Sequence, residues 1–226
     1  IPEPHIVAEK STEKNTHSPL SFRHFVLGAI AIFVYVGVEV GIPNIANLYM
    51  TGDLQINATT AGTVVGTYWF LMLVGRLTGG VLGSKFSSKS MLSFAAVLGL
   101  VFVLLAIFLP KDQMVSMPVF QSDISFGLAQ VPVSIMLLVL CGLCTSVMWG
   151  GIFNLATEGL GKYTAAASGI FMVMVCGGGI IPAIQGYAAD IFGYVQSYWV
   201  VVIGISYMLF YALVGSKNVN KDIKVN

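Results

Sequence analysis

YVGVEVGIPN, residues 35–44, decides how this chain is read. It lies at the centre of an apolar run from Phe22 to Met50, and it carries one carboxylate, Glu39. A membrane-crossing helix needs about 20 apolar residues, so the run is long enough to span a bilayer with some tilt. Glu39 then falls near the midpoint, where an acid costs on the order of 2.5–3.5 kcal/mol to insert. It must face protein or water, and it is a candidate functional group by default. Pro43, Asn44 and Asn47 share its helix.

The rest of the chain agrees with a membrane setting. Of its 226 residues, 56% are hydrophobic and 9% charged, against about 25% charged in soluble domains. Six apolar segments are expected, at about 22–50, 58–83, 89–110, 132–153, 164–188 and 195–215, separated by turn residues or charges and by a longer stretch at 111–131. The fold class is therefore all-α: a polytopic membrane protein with six transmembrane helices. Residues 1–20 are polar and read as a cytoplasmic linker or tail, 21–215 as the bundle, and 216–226 as a cytoplasmic C-terminal tail. The opening IPEPHIVAEK has neither the n-region nor the h-region of a signal peptide, and it reads as the start of a fragment or processed product.

Charge placement gives the orientation. With six spans, Lys10, Lys14, Arg23, Arg76, Lys85, Lys89, Lys162, Lys217, Lys221 and Lys224 fall on one side and Lys111 alone on the other. Basic residues mark the cytoplasmic side, so both termini are expected there.

Glycine spacing points to close helix packing. Gly75, Gly79 and Gly83 recur every four residues, as do Gly62 and Gly66, and small residues at that interval let backbones approach. Gly41 with Pro43, and Gly177–Gly179 with Pro182, are expected to weaken the first and fifth helices near a cavity. GIPNIAN at 41–47 resembles GIFNLAT at 151–157, an offset of 110, and Gly79 with Gly83 matches the spacing of Gly186 with Asp190, an offset of 107. Three helices per repeat would invert the second copy, the architecture of secondary transporters.

Other chemistries find little support. Cys141-x-x-Cys144 has no His or second pair nearby and reads as helix packing, and His5, His17 and His24 lie in the tail or at the first boundary. No metal or cofactor is expected, and no enzyme activity. A six-helix channel would carry Asn-Pro-Ala turns, where this chain has Ile-Pro-Asn and Ile-Phe-Asn.

YVGVEVGIPN (35–44), YWFLMLVGRLTGG (68–80), FNLATEGLGKYTAAASG (153–169) and GGGIIPAIQGYAADIFGY (177–194) together resemble the C-terminal six-helix half of the major facilitator superfamily, in its fucose/glucose/galactose permease branch. Gly186-x-x-x-Asp190-x-x-Gly193 has the skeleton of the superfamily's loop motif, while the stretch after the second helix carries Gly83 in place of the acid.

The resemblance implies a sugar:proton symporter of a bacterial inner membrane. This chain would supply half of a site for a small neutral sugar, opposite an absent N-terminal six-helix half. Its partners would be the sugar, protons and the lipid bilayer, with no nucleic acid. The alternative is a transporter fragment or membrane subunit without independent transport.

Sugars are held by amide and carboxylate groups beside aromatic faces. The candidates are Glu39, Asn44, Asn47, Tyr68, Trp69, Trp149, Asn154 and Gln185. A carboxyl in a membrane is also a natural proton carrier, which makes Glu39 the proton-coupling candidate. Arg76, Pro43, Pro182 and Asp190 are assigned gating or structural roles. Arg76 is expected to snorkel toward the cytoplasmic end of its helix, and Glu158 and Lys162 to pair in the cytoplasmic loop.

Overall fold

A computed structural model describes residues 17–220 and 222–223. Most of the 1–20 linker, with Lys10 and Lys14, lies outside the described residues, as do Lys221 and Lys224. Six helices long and apolar enough to cross a membrane follow one another: α1 (Arg23–Gly52), α2 (Ala58–Leu82), α3 (Ser88–Phe108), α4 (Val133–Thr157), α5 (Gly161–Phe192) and α6 (Tyr194–Gly215). Asn57 and Ser87 start α2 and α3 by accepting from the backbone N–H of Thr60 and Ser90, the usual remedy for the unpaired donors of a first turn. Gly193, at φ 92°, ends α5 and lets the chain re-enter a helix at once at Tyr194, a backbone angle that favours glycine.

The bundle is organised around α1, which packs on α2, α4, α5 and α6. Its contact with α5 is a parallel seam with a repeat of four residues. A Cβ on Gly177 would collide with the carbonyl of Phe33, one on Gly37 with Ile181, and one on Gly41 with the amide of Gln185. The α2–α4 contact is built the same way, Gly75 against Ser146 and Gly79 against Val147. Gly62 and Gly66 make no such contact. Among the described residues a Cβ at Gly62 would meet nothing within 4 Å, and one at Gly66 only the Phe120 carbonyl at 3.9 Å. Gly83 touches only its own helix.

Of the two expected breaks, the one in α5 is present and the one in α1 is not. Helix α1 runs unbroken through Pro43. In α5 a 3-10 turn, Met174–Cys176, precedes the glycine triplet. In α4 the helix is interrupted at Val147, between Val133–Ser146 and Met148–Thr157, and α6 closes with a π turn at Tyr211–Gly215.

The stretch 111–131 is not a simple loop. It folds as an antiparallel hairpin, β1 (Met114–Phe120) with β2 (Phe126–Pro132), in register from Met114↔Pro132 to Phe120↔Phe126. Met117, Val119, Ala129 and Val131 turn inward. Phe120 N–H donates to Thr67 Oγ1 at 2.9 Å, and its ring stacks on Phe70 at 4.6 Å. The hairpin is thus clamped to α2.

The charges sort by end. Arg23 N–H reaches Asn220, His24 Nε2 donates to the Glu158 carbonyl, and Lys89 Nζ donates to the Leu213 carbonyl, so these termini share one end. At the other end Lys111 lies 5.5 Å from the centre of the Tyr49 ring.

Candidate functional site

Proline decides the local chemistry around Glu39. In a helix each N–H bonds the carbonyl four residues back, and Pro43 has no N–H to give. The carbonyl it leaves free is that of Glu39. Tyr68 on α2 replaces the missing donor, its Oη donating to Glu39 O at 3.0 Å. Tyr68 is fully enclosed and also lies 3.2 Å from Thr145 Oγ1 on α4. Its hydroxyl is thus a structural bond that keeps α1 continuous.

The Glu39 side chain has partners from its own helix and from α2. Tyr35, one turn earlier, donates its Oη proton to Glu39 Oε1 at 2.8 Å, and Arg76 Nη2 donates to the same oxygen at 2.8 Å. The Glu39 side chain is 10% exposed and the Arg76 side chain 52%. Arg76 therefore reaches inward to a buried acid rather than outward to the membrane surface. Tyr35 Oη also lies 3.0 Å from the Thr145 carbonyl, in the last turn before the α4 break. Glu39, Tyr35, Tyr68, Arg76 and Thr145 form one polar cluster joining α1, α2 and α4.

A cavity of about 670 Å³ opens beside this cluster. It runs from Glu39 and Arg76 past Ser146 and Trp149 to Ser88 and Asn154, toward the end that carries Arg23 and Lys89. The volume suits a small polar molecule. Asn154 Nδ2 donates to Ser88 Oγ at 3.3 Å, linking α4 to α3 at the mouth. The Trp149 ring stands edge-on to Tyr35 at 6.2 Å.

Of the eight sugar-ligand candidates, Glu39, Trp149 and Asn154 share this cavity. Asn44 is exposed and Asn47 half-buried further along α1. Trp69 is exposed on α2, with its ring edge-on to Tyr68 at 5.3 Å. Gln185 is 0% exposed against Gly41, with neither amide atom hydrogen-bonded among the described residues. Pro182 is half-buried in α5 and Asp190 exposed at its end. The sequence places Tyr35 on the same face as Glu39 and Asn47, but neither Tyr35 nor Thr145 is among the candidates drawn from it. Tyr35 carries a signal, at one helical turn from Glu39, and Thr145 carries none.

Residues 27–222 match the Major Facilitator Superfamily. The chain belongs to that superfamily. It is 32% identical over 219 residues to a Helicobacter pylori protein named for glucose/galactose transport, covering 95% of this chain and 49% of that protein. It is 29% identical over 209 residues to the glucose/galactose transporter of Brucella abortus, covering 92% and 46%. With the L-fucose-proton symporter of Escherichia coli it shares 26% over 178 residues, covering 76% and 35%. The chain thus spans about half or less of the length of these relatives. The crystal structure of the major facilitator transporter FucP in the outward conformation shares the fold, with a TM-score of 0.72 at 21% identity over 87% of this chain and 43% of that one. The superfamily fold, a membrane-spanning six-helix bundle and its kinship with sugar transporters all stand as expected.

Proposed function

We propose that this chain forms one half of a transporter that moves a small neutral sugar, a hexose or deoxyhexose, by proton-coupled alternating access. The observation that carries this reading is the cavity, which sets a carboxylate, a guanidinium, an amide and an indole around a volume of about 670 Å³. The guanidinium donates to hydroxyls, the carboxylate accepts from them and the amide does both, while the indole offers a flat face to a sugar ring. The names of the relatives, glucose/galactose transporter and L-fucose-proton symporter, support the choice of a sugar as substrate and a proton as coupling ion.

In this reading Glu39 carries the proton, and the end bearing Arg23, Lys85, Lys89, Lys162 and Lys217 faces the cytoplasm of a bacterial inner membrane. Residues 1–20 and 216–226 are cytoplasmic segments. A second six-helix half supplies the opposite wall of the site, with the exposed Asn44 and Trp69 completing the contacts. The six helices alone bind sugar weakly and do not transport.

The test is uptake by a twelve-helix protein carrying this chain as its second half, with labelled glucose, galactose and L-fucose. Glu39→Gln should lose proton-driven accumulation while retaining most counterflow. Unchanged accumulation removes Glu39 as carrier, and failure of every sugar to be taken up or to compete removes the substrate class.

A further inference from the structure

We propose that Tyr35 is a positioning residue that couples the protonation state of Glu39 to the break in α4. This rests on the reading of Glu39 as a proton carrier and names the element that responds to the proton. Tyr35 Oη has one proton and two acceptors, Glu39 Oε1 at 2.8 Å and the Thr145 carbonyl at 3.0 Å. Thr145 lies where regular helix bonding ends, and the Val147 N–H already turns back to its carbonyl. The two acceptors sit on different helices and compete for a single hydrogen.

The competition is decided by the charge on Glu39. While the carboxylate is ionised it takes the phenolic proton, because hydrogen bonds to charged groups are about twice as strong as neutral ones. Arg76 holds the same oxygen, and Thr145 O faces the lone pairs of Tyr35 Oη. When a proton binds Glu39, the order reverses. The carboxyl O–H donates to Tyr35 Oη, the phenol O–H donates to Thr145 O, and Arg76 loses its ionic partner. One proton is gained by Glu39, and Tyr35 keeps its own. The two states differ by one hydrogen bond at the α4 break and by a guanidinium released toward the cavity.

The surroundings leave few other charges to interfere. Facing this cluster are Tyr35 from α1, Arg76 and Tyr68 from α2, Thr145 with Cys141 and Cys144 from α4, and Tyr198 from α6, whose hydroxyl donates to the Ile42 carbonyl. On the α5 side the cavity is lined by Val175, which does not titrate.

Trp149 is the built-in reporter, two residues past the break and in ring contact with Tyr35. The experiment uses the full chain in lipid nanodiscs with Trp69→Phe and Trp199→Phe, leaving Trp149 as the single indole. Glu39 protonation is followed by the infrared carboxyl C=O stretch, identified by its loss in Glu39→Gln, and Trp149 by its emission, across pH 5–9. The expected result is a Trp149 change with the same midpoint as the carboxyl band. In Tyr35→Phe the band still titrates while the Trp149 change is lost. In Glu39→Gln, whose amide can donate to Tyr35 as the protonated acid does, Trp149 stays at its low-pH signal throughout. A Trp149 change that persists in Tyr35→Phe, or a pH-dependent signal in Glu39→Gln, overturns the coupling and leaves the proton carrier standing. A Glu39 band that never titrates overturns both.

Discussion

Arg76 Nη2 lies 2.8 Å from Glu39 Oε1 although the arginine is half exposed and the glutamate nearly enclosed. The pair is asymmetric: one partner keeps water, and the other depends on the pair for its charge. Removing the exposed partner therefore does more damage than its own contacts account for, because it leaves a buried acid alone.

In a thermal-unfolding double-mutant cycle, Arg76→Ala should destabilise the bundle by about 1–3 kcal/mol, scaled down from a fully buried pair by the solvent around the guanidinium. In a Glu39→Gln background the same substitution should cost little. Equal losses in both backgrounds would show that Arg76 acts through packing.

Tyr68→Phe should cost about 1–3 kcal/mol, the penalty of leaving a buried carbonyl without its donor. Pro43→Ala should largely rescue it, since residue 43 then brings its own N–H to the Glu39 carbonyl. Failure of that rescue would mean that the Tyr68 hydroxyl acts through Thr145 Oγ1 rather than through the Glu39 carbonyl.

Gly177→Ala should destabilise by about 1–3 kcal/mol through overpacking, because its new methyl meets the Phe33 backbone, which cannot swing aside. Gly179→Ala, two residues on, meets nothing within 4 Å among the described residues and should be neutral or slightly stabilising. Chemical unfolding of the two variants side by side decides the matter.

At the hairpin tip Ile124 holds φ 65° and is 80% exposed. A β-branched residue is strained there, at about 1–3 kcal/mol. Ile124→Gly should slow amide exchange across Phe120 and Phe126, and faster exchange would count against strain.

Asp123 accepts from Ser125 Oγ at 2.6 Å and Ser125 N–H at 3.1 Å, and these bonds hold its carboxyl below the usual aspartate value. A depressed folded value means the tip is stabilised above the unfolded value and loses that support as the pH falls through the folded one. Protection of the Ser125 amide should therefore be full at pH 7, begin to fall near the free aspartate value of about 4 and be lost only below it, at the lower folded value, whereas Asp123→Asn should show no such pH dependence.

The spans were legible because apolar length and charged punctuation are strong signals, and each helix begins and ends within a few residues of its expectation. The hairpin was hidden by Pro118 and Pro132, which argue against strands. A two-stranded ribbon consists only of edges, so Pro118 is tolerated there opposite Leu128. Proline misled in α1 too: Pro43 reads as a break, and only the distant Tyr68 repairs it. The interruption at Val147 carries neither Gly nor Pro, and its local mark is the weaker one of Thr145 and Ser146 bonding back to the carbonyls of Cys141, Gly142 and Leu143. Glu39 was visible as an isolated acid, while its pairing with Arg76 needed the placement of α2 against α1.

The α1–α5 seam sets Phe33, Gly37 and Gly41 opposite Gly177, Ile181 and Gln185. Each side chain is seated in a notch, so a small axial slide would drive Ile181 out of the Gly37 notch and onto a neighbouring side chain. The next matching alignment lies four residues away, about 6 Å along the axis. Axial sliding between these two helices is thus gear-like: it occurs in whole teeth, while a hinge or roll about the seam keeps the teeth engaged.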